Sequence, residues 1–281
     1  GITYALTGRH LLQLNVGYFN TPQSLRNIYP NVRNSNRILP NLKNEMAYTA
    51  DASYILRSSF LKGRLTGFFT EIENTAETNF FYTETALTDE IDKDFVAQTI
   101  DGIKKRHFGL ELGAEAQLHP TVKLTAVAAI GQYTYINNPS LYISAGDVNK
   151  AIDEVKMKNY HVPSGPQQAY SLGLEYRNPK YWWVGATANF LAQNYVSLSA
   201  LNRTSQFFID PATKAPYSNL DLDKARQLLK QERLDDVFLV NLVAGKSWRV
   251  KKTYINLMAS VNNLFDTKFL SGGFEQSRTA N

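Results

Sequence analysis

Between His107 and Leu118 apolar and polar residues alternate without a break. Phe108, Leu110, Leu112, Ala114, Ala116 and Leu118 fall on one side of an extended chain, and His107, Gly109, Glu111, Gly113, Glu115 and Gln117 on the other. Period two marks a strand with one apolar face. The same pattern places strands around residues 12–18, 45–57, 170–176, 182–190, 238–248 and 254–262. Two less regular strands cover 63–73, where Glu71 and Glu73 interrupt the apolar side, and 122–135, apolar on both sides for several positions. The total is about nine strands.

The connections alternate in length. Tight links fall at 58–62, His119 and Pro120, Asn178 to Lys180, and Arg249 to Lys252; long ones cover 20–44, 74–104, 136–166, 195–236 and the chain from Phe265 onward. In an up-and-down meander every second connection lies at the same end, so all long loops share one end. The long loops hold two candidate helices. One spans 218–234, capped by Ser218 or Asn219, and a weaker one spans 146–158.

An alternating strand does not say which face is hidden. In a soluble sandwich the apolar side is the core; in a membrane barrel it meets lipid. Sandwich strands average about five or six residues, whereas these approach the length needed to cross a bilayer at a tilt. Tyr170 and Tyr176, Trp182 and Phe190, and Phe238 and Trp248 stand at the two ends of three successive apolar faces. Ten residues at about 3.3 Å each, tilted by about 40°, project to about 25 Å, the height of a lipid-facing band between aromatic girdles. The pattern predicts an all-β, antiparallel up-and-down transmembrane barrel. Glu111 and Glu115 then face the lumen. A closed barrel satisfies every backbone group in lipid, and nine strands without a closing partner imply part of a larger barrel.

Composition agrees with this reading. Aromatic residues make up 12% of the 281, with 16 tyrosines, and no apolar run is long enough for a transmembrane helix. There is no cysteine, which excludes disulfides, thiolate metal sites and cysteine nucleophiles. The net charge of +5 is spread thinly, and Lys104, Lys105, Arg106 and Arg249, Lys251, Lys252 read as anchors at strand ends, not as a nucleic-acid surface. No two of His10, His107, His119 and His161 have metal-ligand spacing, and phosphate-loop and nucleophile-elbow motifs are absent. Glu111 and Glu115 share a face but read as solvated lumen carboxylates. The acidic residues within 84–94, in TETALTDEIDKD, lack the spacing of a calcium loop. Neither an enzyme nor a cofactor is indicated.

The stretch VNNLFDTKF at 261–269, followed by SGGFEQSR, resembles the end of the penultimate barrel strand of TonB-dependent outer-membrane receptors. Residues 38–57, preceded by FNTPQSLRNIYP, resemble the loop that enters a strand in that family, with Asn44 where a proline is usual. Asn262, Asn263 and Asp266 are turn formers that release the strand, while Leu264 and Phe265 stay at the rim. The resemblance, Bacteroidetes-like in character, implies a C-terminal portion of a 22-strand barrel, about strands 13 to 21. The plug, the first barrel half and the last strand would lie outside these residues. It implies a place in the cell outer membrane, in contact with its lipid, and import of a scarce nutrient with energy from the TonB complex, reached through an N-terminal region not in this sequence. The ligand would be a siderophore, haem, cobalamin, glycan or peptide, and a surface lipoprotein is an expected partner. A passive channel or adhesin barrel is the alternative, followed by a soluble β-sandwich binding module.

With the long loops outside the cell, His107 at the start of its strand and Asn189 near the end of its own are the lumen residues nearest the ligand. Arg203, in LNRTSQFF, lies in the loop above, where a guanidinium beside aromatic rings can hold an anionic or carbonyl-rich group. These three are the expected ligand-binding residues.

Overall fold

The computed structural model describes residues 1–276 apart from 33–35, 41, 84–90, 92–94, 147, 164, 211, 212 and 214. The acidic stretch considered for calcium lies almost wholly outside the described residues. The strands are β1 (Ile2–Ala5), β2 (His10–Thr21), β3 (Glu45–Arg57), β4 (Leu61–Tyr82), β5 (Phe95–His119), β6 (Val122–Tyr135), β7 (Ser140–Ala145), β8 (Val148–Glu154), β9 (Gln168–Asn178), β10 (Trp182–Ala192), β11 (Asn194–Tyr195), β12 (Arg233–Leu234), β13 (Val237–Val250) and β14 (Thr253–Val261). One sheet carries the order β1-β2-β3-β4-β5-β6-β9-β10-β13-β14, with every neighbouring pair antiparallel. The nine expected strands are all present. The additional β1 adds a further tight link at one end, which continues the short and long alternation.

One hydrogen-bonded row runs Tyr4, Leu12, Tyr54, Leu65, Leu112, Ala128, Tyr170, Phe190, Phe238. It holds the outward face, and its Leu12, Leu65, Leu112 and Phe238 are exposed. The adjacent row faces inward and includes Ser53 and Thr66, both buried and hydrogen-bonded to each other at 2.9 Å. Apolar groups outside and polar groups inside invert the order of a soluble core; an apolar surface of this extent needs lipid against it.

The same row measures the tilt. On β2 it stands about four residues above the turn at Gly8, and on β13 about thirteen above Lys251, seven strands across. Nine residues at ~3.3 Å against seven steps of ~4.8 Å give a tilt of about 40°, the value at which strands close into membrane barrels. The lower rim carries Tyr176 and Trp182, with rings 5.2 Å apart, and the upper rim Tyr170 and Phe190, 6.2 Å apart.

Strands β4 and β5 differ from expectation. Residues 74–104 are not mainly a loop, because both strands run on above the apolar band as a tall ribbon. Two register shifts between Ile72 and Glu77, with Asn74 at φ 58°, break the alternation on β4. On β5, residues 96–100 are all buried, so no amphipathic signal is left to read. Arg106–Glu71 (2.8 Å) and Lys104–Glu73 (2.7 Å) mark where the wall leaves the apolar band. The basic cluster at 104–106 therefore sits in mid-strand, beside acids of β4 that interrupt the apolar pattern for the same reason.

Residues 148–154 of the weaker helix candidate form β8, whose hairpin with β7 pairs with β5 at Ala97–Asp101. In the other candidate only α2 (Leu222–Leu228) is helical, and its cap is Asp221, whose carboxylate accepts from the Asp223 and Lys224 amides at 3.0 Å. A short α1 (Leu25–Ile28) lies against β4, where Asn27 donates to the Ala76 carbonyl. The buried core is not in the wall. It lies in the loop layer, where Val96, Ile100, Leu141, Ile143, Met157 and Leu201 pack together.

Within the wall, Gly109 and Gly131 pair across β5 and β6 on the lumen face, covered by the rings of Phe68 and Tyr133. A side chain at Gly109 would collide with the Ile130 carbonyl. Gly109→Val is expected to destabilise the folded barrel by about 1–3 kcal/mol, read as a lower midpoint in urea unfolding from detergent; an unchanged midpoint would show that the strands yield.

Candidate ligand-binding site

The loop layer covers the lumen side of the tall ribbon and leaves a cavity of about 680 Å³. Its ribbon wall is built from Glu77, Asn79 and Phe81 of β4 and Gln98 and Ile100 of β5. The register sets Glu77 opposite Ile100 and Asn79 opposite Gln98, so these residues share one face. Tyr135 at the end of β6, Ser197 and Ser199 from the β10–β13 connection, and Phe274 and Glu275 beyond β14 complete it. Of the described residues lining the cavity, two are carboxylates and none is lysine or arginine.

Both carboxylates are held from behind. Lys105 donates to Glu77 at 2.6 Å. Arg203 grips Glu275 with both terminal nitrogens, Nη2 to Oε1 at 2.7 Å and Nη1 to Oε2. Arg203 is buried at 3% exposure, gives a further bond to the Leu229 carbonyl at 3.0 Å, and lies over the Tyr160 ring at 5.3 Å. Ser197 binds the backbone on both sides of Phe274, accepting from Glu275 N–H and donating to the Gly273 carbonyl, each at 2.9 Å. The chain after β14 is thereby strapped to the loop between β10 and β13. Phe274 itself is 79% exposed, its ring free at the cavity edge.

Other polar contacts fix the layer. Gln231, buried, joins His161 and the Val196 carbonyl, while the His161 and Tyr195 rings stack at 4.0 Å. Asp153 accepts from the Ser205 amide at 2.8 Å, and hydrogen bonds from Ser205 hold its carboxyl below the usual aspartate range. A depressed folded value adds stability above the ordinary aspartate pKa and loses it as pH falls through the lowered value. Amide exchange at Ser205 should therefore speed up only in acid below the usual aspartate titration; a constant rate would show the contact is not coupled to ionisation. Asp101, on the ribbon, is shifted upward by burial, partly offset by the Gly102 amide and Lys43.

The three residues singled out by sequence lie apart. His107 is twelve residues into β5, not at its start, facing the lumen with its ring 4.9 Å from Tyr133 and its buried Nε2 without a hydrogen-bond partner. Asn189 also faces the lumen, across from Ser171, whose hydroxyl donates to it at 2.9 Å. Neither lines the cavity; Arg203 reaches it through Glu275. Sequence reasoning missed Asn79 and Gln98 because the ribbon that aligns them carries no periodic signal, and Tyr135 because it ends β6, whose residues are apolar on both sides for several positions. Glu275 had a weak one, lying just beyond the paired glycines of SGGFEQ. Among the described residues no cluster of three His, Asp or Glu side chains is placed to hold a metal ion.

No curated protein sequence matches the chain. Among solved structures, the copper transporter OprC superimposes with a TM-score of 0.59 at 17% identity, over 95% of this chain and 33% of its own. The unliganded ferric citrate transporter FecA gives 0.58 at 16%, over 95% and 33%. The FrpB iron transporter from Neisseria meningitidis gives 0.57 at 11%, over 95% and 34%. The chain spans about a third of the length of these proteins, and the likeness is one of fold. The family model described as TonB dependent receptor-like, beta-barrel, matches residues 1–264. An inside-out sheet tilted by about 40°, with its loop layer at one rim, and that match over nearly the whole chain establish that this protein belongs to the TonB-dependent receptor-like β-barrel family.

Proposed function

We propose that residues 1–281 form the C-terminal portion of the wall of an outer-membrane importer, whose plug, remaining strands and TonB-contacting region are supplied by residues outside this sequence. The observation that carries this reading is the one-sided build of the sheet. Five short connections lie at one rim, at 6–9, 58–60, 120–121, 179–181 and 251–252, while the other rim holds a packed loop layer with a cavity against the tall ribbon. A passive channel needs an open path more than a packed mouth with its own core. No catalytic step is part of the proposal.

Ligand would be captured at the outer rim and passed down the lumen face. On this chain we place His107 and Asn189 on the inner wall along that path, with Arg203 acting through the Glu275 carboxylate at the cavity edge. The unpartnered Nε2 supports His107, since a buried polar atom gains most from a ligand that satisfies it. A surface lipoprotein over the loops fits the same arrangement.

Uptake by cells carrying the complete receptor, compared with a deletion strain, tests the proposal. Accumulation that depends on the receptor and stops when a protonophore collapses the inner-membrane gradient is expected. Accumulation indifferent to the protonophore would favour the passive channel, and cell adhesion without uptake the adhesin.

A further inference from the structure

We propose that the loop-layer cavity takes a neutral, hydroxyl-rich ligand, a short oligosaccharide, and discriminates against anionic metal chelates. This rests on the importer reading and names the substrate class of its site.

Charge comes first. The described lining carries Glu77 and Glu275 and no basic side chain, because Lys105 and Arg203 bind these carboxylates from outside the cavity. An anionic ligand would give up its hydration to face two carboxylates with no cation among the described lining residues. A cationic ligand gains little, because each carboxylate already has its counter-ion and a second cation would compete with a formed pair. Neutral hydroxyls suit both carboxylates, whose remaining lone pairs accept hydrogen bonds and strengthen them by their charge.

The rest of the lining agrees. Asn79 presents a donor and an acceptor, as does the hydroxyl of Ser197, a mixture that matches vicinal hydroxyls better than an apolar ligand. The rings of Phe81 and Phe274 offer flat apolar faces for the C–H side of a sugar ring, while Tyr135 is packed into the core beneath them. Phe274, 79% exposed on a segment held by a carboxylate grip and paired backbone bonds, is an aromatic surface fixed in place without being buried. The volume of about 680 Å³ is within the range of small-ligand sites.

The test is calorimetry on the complete receptor in detergent, with neutral tetrasaccharides of glucose, xylose, mannose and galactose, and with ferric citrate and a ferric tris-catecholate as anionic probes. The proposal expects at least one tetrasaccharide to bind. It expects Asn79→Ala and Phe274→Ala each to weaken that binding about tenfold, as the loss of one good contact does, and neither chelate to displace the sugar. Both side chains are exposed, so the variants should fold, and an unchanged circular dichroism melt checks this. No tetrasaccharide binding, equal binding in wild type and both variants, or displacement by a chelate overturns it. Protonophore-sensitive uptake of a chelate with no sugar binding would sink the ligand class and leave the importer standing; uptake insensitive to protonophore would sink the importer whichever ligand binds.

Discussion

Leu112→Arg should sharply reduce the amount of folded receptor in the outer membrane, while Glu111→Ala, one residue away, should leave it unchanged. Leu112 is exposed on the outward face between Phe108 and Leu118, near the middle of the apolar band. A guanidinium there must enter hydrocarbon, at a cost of about 2–4 kcal/mol at the midplane of such barrels. That is a large fraction of the stability of an ordinary domain. Glu111 lies on the lumen row between Thr66 and Ala129, so its loss exposes nothing to lipid. Heat-modifiable mobility on gels of outer-membrane fractions reads both. Equal loss in the two variants would mean that the faces are assigned the wrong way or that neither meets lipid.

Arg203→Leu should open the loop layer without dissolving the wall. The Arg203–Glu275 grip is buried on the arginine side and ties the chain after β14 to the β10–β13 connection. Breaking a buried pair costs about 3–5 kcal/mol, because the partner is left as an uncompensated charge. Amide exchange at Ser197 and Glu275 should accelerate by about 10²- to 4 × 10³-fold, while exchange in β9 and β10 stays slow. The paired change Arg203→Leu with Glu275→Leu should recover much of the protection, since no charge then remains stranded. Unchanged exchange in the single variant would show that backbone bonds alone hold the strap.

What the sequence revealed follows the physics of exposure. Where one face meets lipid and the other water, as along 107–118 or 170–176, alternation is complete and the strand and its two faces can be read directly, while strand length and the aromatic girdles say which face is outward. Where both faces are covered, as in residues 96–100 between β4 and β7, the period disappears, and a tall ribbon was expected to be a loop. The hairpin of β7 and β8 was missed for a related reason: its pairing to β5 is set by tertiary contact, and the short segment 146–158 reads equally as helix. The cavity was the least legible feature. Glu77, Ser199 and Glu275 come from three distant segments, brought together by the register, the Arg203 grip and the backbone bonds between Ser197 and the chain around Phe274. Arg203 was noticed for its aromatic neighbours, whereas its burial and its carboxylate partner 72 residues away left no local sign.

Residues 1–281 hold no cysteine, so a single cysteine introduced here, compared with the receptor lacking it, reports the position of this part of the wall. The most direct test of the membrane arrangement places one at Ser218 in a long connection, one at Ser59 in a short turn, and one at Leu172 on the outward face of β9, all exposed positions. Cells expressing the complete receptor are then treated with a bulky, membrane-impermeant maleimide, before and after the outer membrane is permeabilised. The structure predicts that Ser218→Cys is labelled on intact cells, Ser59→Cys only after permeabilisation, and Leu172→Cys in neither case until detergent strips the lipid. Labelling of Ser59→Cys on intact cells, or of Leu172→Cys without detergent, would contradict a lipid-facing wall with its loop layer outside.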